Sequence, residues 1–176
     1  KTKRFVIAGG GISGLTLAIA LQRKGLQVTV YEQATPLKPL GAALVLAGNA
    51  IKAFSEIGID SKVVSAGKVL KKLTIKDQSG KILSETDAED VSRKYGVINN
   101  FAIHRADLHE TLLSYLPTEV VQLGKTCVDF KQSAQGVTIR FQDGTTTEAD
   151  YVIACDGIHS IFRKKLVSDR EPRYAG

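Results

Sequence analysis

The stretch Phe5 to Glu32, FVIAGGGISGLTLAIALQRKGLQVTVYE, constrains the fold more than any other part of the chain. An apolar run of strand character leads into a glycine turn, an amphipathic helical segment, a second apolar run and a terminal acid. Gly9, Gly11 and Gly14 form G-x-G-x-x-G. The first glycine makes a tight turn, the second lets the backbone approach a pyrophosphate, and the third lets helix and strand pack closely. Ile12, Ser13 and Gly14, at the helix start, offer backbone N–H groups and a partial positive charge to phosphates. Glu32 lies 18 residues after Gly14, with Gln33 beside it. At a strand end such a carboxylate accepts hydrogen bonds from ribose hydroxyls and repels a 2′-phosphate. The pattern predicts a dinucleotide site whose AMP half is unphosphorylated, and it leaves NAD and FAD both open.

Composition narrows the class. The 176 residues are 43% hydrophobic and 24% charged, ordinary for a globular chain with a sizeable core. The opening KTKR and apolar run resemble a secretory signal, but three consecutive glycines interrupt it and no cleavage region follows, so a cytoplasmic protein is expected. The apolar run is also short for a membrane span, so no stable membrane insertion is expected. Cys127 and Cys155 sit in apolar strand-like runs without C-x-x-C spacing and read as buried thiols. His104, His109 and His159 have no metal spacing, and no metal is expected. The net charge of +6 comes from scattered lysines, with Arg163, Lys164 and Lys165 the densest cluster, so nucleic acid is not an expected partner.

Beyond Glu32, Pro36 and Pro39 bracket a loop that ends in GAALVLAGNAIKAFSEIG, where Gly-Ala-Ala leads into a helix with Ile51, Phe54 and Ile57 on one face. Residues 69 to 76 and 81 to 85 read as a hairpin turning at Asp77 to Gly80. IHRADLHETLLSYL reads as a short extended piece followed by a helix capped near Ala106 or Asp107, with Arg105 just ahead of it and Leu108, Leu112 and Leu116 inward. Runs at 124 to 132, 136 to 141 and 146 to 153 predict an antiparallel meander. Tyr151 to Cys155 is continuously apolar, as for a strand covered on both faces, and ends in Asp156-Gly157 before a short helix. Ligands of open α/β sheets bind beyond the carboxyl ends of the strands, which places Asp156 at the rim of Gly11 and Glu32. Asp156-Gly157 is read either as a ligand contact or as a turn with Asp as helix cap.

On GGGISG with Glu32, on DYVIACDGIHSIFR and on HRADL, the chain resembles the FAD-dependent aromatic monooxygenases, the p-hydroxybenzoate hydroxylase-like flavoproteins, and most of all their salicylate and urate hydroxylase branch. The resemblance covers essentially the whole chain. It implies an α/β fold, a Rossmann-like FAD/NAD(P)-binding domain with a parallel sheet plus an antiparallel β-meander. It also implies that Glu32 binds the adenosine ribose and that Arg105 reaches the ribityl and pyrophosphate part of FAD. Asp156 and Gly157, with Ser160 and Arg163, serve FAD and NAD(P)H. Ala43 and Val45 border the isoalloxazine, and Cys127 falls where a strand backbone meets adenine. A third family fingerprint, a Gly-Asp segment followed by Ala and His, occurs nowhere in the 176 residues. Family chains are roughly twice as long, so residues 1–176 are expected to be the FAD-binding domain of a longer two-domain monooxygenase.

The activity implied is NAD(P)H- and O2-dependent hydroxylation of a small aromatic substrate through a C4a-hydroperoxyflavin, with the catalytic residues outside this segment and the segment alone inactive. The alternatives are another FAD oxidoreductase of the superfamily, such as an epoxidase, halogenase or reductase, or a non-catalytic dinucleotide-binding fragment. An NAD-dependent dehydrogenase fits less well, because it continues in alternating strands and helices where this chain turns to a hairpin and a meander.

Overall fold

Along the chain run β1 (Arg4–Ala8), α1 (Ile12–Arg23), β2 (Gln27–Tyr31), β3 (Ala43–Leu46), α2 (Gly48–Glu56), α3 (Asp60–Ser65), β4 (Lys68–Val69), β5 (Lys72–Lys76) and β6 (Ile82–Asp87). They are followed by α4 (Ala88–Tyr95), β7 (Phe101–His104), α5 (Arg105–Leu113), a 3-10 turn (Thr118–Val120), β8 (Val121–Gln122), β9 (Cys127–Ser133), β10 (Gly136–Phe141), β11 (Thr146–Ala149), β12 (Tyr151–Ala154) and α6 (Ile161–Leu166). The structure is a computed structural model that describes residues 2–36, 42–96, 98 and 100–173. Pro39 and Gly41, assigned by sequence to the loop before β3, lie outside the described residues. The chain divides into two units, Lys1–Lys38 with Leu112–Gly176, and Pro39–Thr111.

The first unit is built on a parallel sheet in the order β12-β1-β2-β8. Alternate residues of β1 face opposite ways, as the pleat requires. Ile7 enters a core with Ala18 of α1, Val28 and Val30 of β2, and Val120. Val6 turns the other way into a core with Ile139, Phe141 and Ala149 of the meander. One face of the sheet therefore carries α1 and the other the antiparallel β11-β10-β9. Helix α1 presents Gly14, Leu15, Ala18 and Ile19 inward. It stops at Gly25, whose φ of +73° places it in the left-handed region while its N–H bonds the Gln22 carbonyl at 2.9 Å.

Asp150 separates what sequence reads as a single run over 146 to 153. Its backbone N–H bonds the Arg4 carbonyl at 3.0 Å, and its carboxylate accepts from the Arg4 N–H at 2.8 Å. Residues before Asp150 stay in the meander as β11, and those after it join β1 as β12. β12 lies at the edge of this sheet, yet both its faces are covered at its centre, Val152 packing on the meander-side core and Ile153 on the α1-side core, while Tyr151 at its start is 50% exposed. Tyr151 stacks on Phe5 of the neighbouring strand, ring centroids 5.0 Å apart. Phe162 of α6 stacks on Phe130 of β9 at 4.8 Å. Asp129 of β9 binds Lys165 and Arg140, and these cations hold its carboxyl down to about 2.

In the second unit β3, β7 and β4 form an antiparallel sheet, and β5 pairs with β6 as a hairpin. Asp77 shapes the hairpin turn by accepting from the Ser79 and Lys81 N–H groups at 2.9 and 3.0 Å. The hairpin begins at Lys72, not residue 69, because Val69 pairs with Phe101 of β7. Ile51 and Phe54 of α2 are buried as their spacing predicts. Helices α3 and α4 were not anticipated. α4 has full local signals: Asp87 caps it through the Glu89 N–H at 2.7 Å, and Gly96 ends it at φ 64°. Helix α5 starts at Arg105, earlier than the Ala106 or Asp107 cap expected, because the Arg105 N–H continues the β3 ladder by bonding the Ala42 carbonyl at 3.0 Å.

Candidate functional site

Register decides where the site lies. Ala8 pairs with Tyr31 of β2 on one side and with Ala154 of β12 on the other, so three parallel strands stop level. The segments that follow them are the glycine turn, Glu32 with Gln33, and Asp156 with Gly157. They share one rim, the location favoured for ligands in open α/β sheets.

The glycines of the turn serve different ends. Gly9 has φ +106°, donates to the Tyr31 carbonyl at 2.8 Å, and would place a Cβ 2.3 Å from the Cys155 carbonyl oxygen. A Cβ on Gly14 would lie 2.0 Å from the Gly9 carbonyl oxygen. Both are glycine because protein backbone passes against them. Gly11 differs: its φ of −74° suits any residue, and a Cβ there would meet nothing within 4 Å. The space beside it is open.

Gly11 is also the N-cap of α1, and no side chain caps this helix or places an acid in its first turn. The early N–H groups of a helix have no intrahelical acceptor. With no acid in the first turn to offset the macrodipole, Ile12, Ser13 and Gly14 make an electropositive end of a 12-residue helix, the kind of place that suits an anion.

Glu32 does more than sequence suggested. Its Oε2 accepts from the Gly10 N–H at 2.6 Å and its Oε1 from the Ala34 N–H at 2.9 Å. Each oxygen keeps lone-pair capacity for a ribose hydroxyl, so the carboxylate is aimed before a ligand arrives. Gly10 is the residue the motif reading missed. Its place as the middle of three consecutive glycines was its sole trace in sequence, since a backbone donor leaves no other mark. Glu32→Ala strips both N–H groups of their acceptor and is expected to lower the stability of the nucleotide-free protein by about 1–3 kcal/mol. Urea unfolding reads this, and an unchanged midpoint would show that the carboxylate does not hold the turn.

At Asp156 the cap reading has direct support. Its Oδ2 accepts from the Ile161 N–H at 2.9 Å, while Ser160 Oγ accepts from the Arg163 N–H at 3.0 Å. Gly157 has φ +82° and open space around it. Arg163 Nη1 bonds the Ser168 and Arg170 carbonyls at 3.3 and 2.8 Å, fixing the chain after α6. Cys127 and Cys155 are free thiols. Burial, and then the Asp156 charge, pushes the Cys127 thiol up to about 11, and the same two causes raise Cys155. A raised thiol holds less of the reactive thiolate at neutral pH, and the influence of Asp156 on Cys127 ties the start of β9 to this rim.

Ala43, Val45 and Arg105 belong to the second unit, where β3 and β7 bring them together. Ala43 pairs with His104 and Val45 with Ala102. Among the described residues no group of His, Cys, Asp or Glu is placed to hold a metal ion, and no helix is long and apolar enough to cross a membrane.

The family described as FAD binding domain matches residues 2–173. The chain is 39% identical over 98% of its length to 3-amino-4-hydroxybenzoate 2-monooxygenase of Streptomyces platensis, of which it covers 44%. It is 32% identical over its whole length to 6-hydroxynicotinate 3-monooxygenase of Pseudomonas fluorescens, covering 46% of that protein. Among solved structures, Klebsiella pneumoniae HpxO complexed with FAD and uric acid superposes at a TM-score of 0.82 and 29% identity, over 92% of this chain and 41% of that one. The chain thus spans less than half the length of these relatives.

Proposed function

Because the chain belongs to the FAD binding domain family, we propose that it is the FAD-binding part of a flavoprotein monooxygenase that uses NAD(P)H and O2 to hydroxylate a small aromatic substrate. The observation that carries the FAD reading is Gly11, the residue at the uncapped N-terminus of α1, where neither backbone conformation nor protein packing excludes a side chain. Bound FAD supplies the electron acceptance from NAD(P)H and the oxygen chemistry.

The residues have separable tasks. The amides of Gly11, Ile12, Ser13 and Gly14 receive the pyrophosphate. Glu32 accepts the adenosine ribose hydroxyls, with Gln33 beside it and the backbone at Cys127 against adenine. Asp156, Gly157 and Arg105 contact the central part of the dinucleotide, and Ala43 and Val45 border the ring. Aromatic acids and related hydroxylated heterocycles are the substrate class, by analogy with the relatives' named substrates. The cytoplasm, where NAD(P)H is supplied, is the compartment.

Residues 1–176 are less than half of a relative's length, and we assign them cofactor binding without turnover. The test adds FAD to the purified protein, records its visible spectrum, and follows NAD(P)H oxidation with and without hydroxylated aromatic acids. A yellow protein with no NAD(P)H oxidation is the expected result for this chain alone. Substrate-stimulated oxidation should appear when the chain is extended to the length of its relatives. A protein that stays colourless overturns the FAD assignment, and turnover by residues 1–176 overturns the division of labour.

A further inference from the structure

We propose that Ser160 is a positioning residue that aims Asp156 and Gly157 at the nucleotide rim, with α6 as the mount through which it acts. The proposal rests on the FAD reading above and deepens it. All the residues involved lie in the first unit. Strand order says which part of the ligand meets this segment. β1 lies between β2 and β12, so Glu32 follows the strand on one side of the glycine turn and Asp156 the strand on the other. A dinucleotide with its adenosine ribose at Glu32 and its pyrophosphate at the start of α1 runs on toward Asp156 with the part beyond the pyrophosphate. In FAD that part is a polyol chain, whose hydroxyls can donate to a carboxylate.

Asp156 and Gly157 do not hold that position by themselves. Before them the chain is fixed, since the Cys155 N–H bonds the Ala8 carbonyl at 2.7 Å. Gly157 then has φ +82°, and a Cβ there would meet nothing within 4 Å, so no neighbour restrains the turn at that point. The restraint comes from Ser160. Its N–H bonds the Gly157 carbonyl at 3.1 Å, its carbonyl accepts from the Lys164 N–H at 3.2 Å, and its Oγ accepts from the Arg163 N–H at 3.0 Å. Ser160 is buried, 7% exposed, so its hydroxyl is turned into the protein and serves the helix. The next residue completes the tie: the Ile161 N–H donates to Asp156 Oδ2 at 2.9 Å and leaves Oδ1 its lone pairs. Helix α6 is seated in turn by Phe162, stacked on Phe130, and by Lys165, bound to Asp129. With Asp156 and Ser160 both spent on its first N–H groups, α6 is a mount for a carboxylate and not itself a place for an anion. Loss of the Ser160 cap frays the first turn of this six-residue helix, and with it the Ile161 N–H that aims Asp156.

Titrations with FAD and with ADP, which has the adenosine and pyrophosphate but neither polyol nor ring, test this. Ser160→Ala is expected to weaken FAD about three- to tenfold, the scale of one lost helix cap, and to leave ADP affinity unchanged, which also reports an intact fold. Ser160→Thr keeps a capping hydroxyl and should recover most of the loss. In an Asp156→Ala background Ser160→Ala should weaken FAD no further, because the group it aims is gone, whereas independent sites add their losses. Additive losses in this cycle overturn the positioning role. So does unchanged FAD affinity in Ser160→Ala, or an equal loss of FAD and ADP, which marks a general structural role. A wild-type protein that takes up no FAD overturns the FAD reading itself, and this inference with it.

Discussion

Gly9→Ala is expected to destabilise the protein by about 2–6 kcal/mol, the sum of roughly 1–3 for a non-glycine residue at a disfavoured positive φ and roughly 1–3 for overpacking. The two costs have separate origins. At φ +106° an L side chain is strained whatever the space around it, and the added Cβ would sit 2.3 Å from the Cys155 carbonyl oxygen and 2.6 Å from its carbon. Neither neighbour can yield cheaply. The Cys155 N–H is bonded to the Ala8 carbonyl at 2.7 Å, and the Gly9 N–H to the Tyr31 carbonyl at 2.8 Å. Relief would have to part β1 from β12 or from β2. Gly25→Ala separates the terms, because Gly25 also has positive φ but open space around it. Urea unfolding should show a small loss for Gly25→Ala and a large one for Gly9→Ala. Equal midpoints would mean that the strand ends are looser than their hydrogen bonds imply.

The legibility of the chain follows the range of its interactions. The strand, turn, helix and second strand from Phe5 to Glu32 could be read because each signal is local: hydrophobic period, glycine spacing and the terminal acid. The hairpin turn at Asp77 and the helix face of Ile51 and Phe54 were readable for the same reason. Sequence could not divide β11 from β12, because Asp150 acts through Arg4, at the other end of the chain. It placed the start of α5 late, because Arg105 is held by the Ala42 carbonyl and not by a side-chain cap. Helix α4 was a different kind of miss. Asp87, the acids after it, Arg93 and Lys94 near its end and Gly96 beyond are all local signals, but the helix is short and its polar stretch carries few apolar residues to mark a hydrophobic period. At the candidate site, the motif named residues that the register brings to one rim, but not the contacts they make with one another. Glu32 was legible as an acid at a strand end, whereas its grip on Gly10 and Ala34 engages backbone N–H groups that no residue letter encodes.

Gly11→Asp should part folding from function in the opposite sense to Gly9→Ala. Gly11 already has the extended backbone of an N-cap, and a Cβ there meets no protein atom within 4 Å, so the substitution brings neither strain nor a clash. Aspartate is a favoured N-cap, and its charge complements a helix start that has no acid in its first turn. Stability is therefore expected to hold or to rise by a few tenths of a kcal/mol, the usual margin of Asp over Gly at this position. The same carboxylate would satisfy the helix N–H groups that the pyrophosphate needs and set a negative charge against it. FAD affinity is expected to fall by about a hundredfold or more, ~3 kcal/mol, the scale of an anion meeting an unpaired like charge in a partly desolvated site. Gly11→Asn carries similar bulk and capping ability without the charge, so its loss should be distinctly smaller. FAD titration and urea unfolding on the three proteins decide the matter. A Gly11→Asp protein that is stable and still takes up FAD with wild-type affinity would move the pyrophosphate away from the end of α1 and leave the glycine turn as a packing device between β1 and its helix.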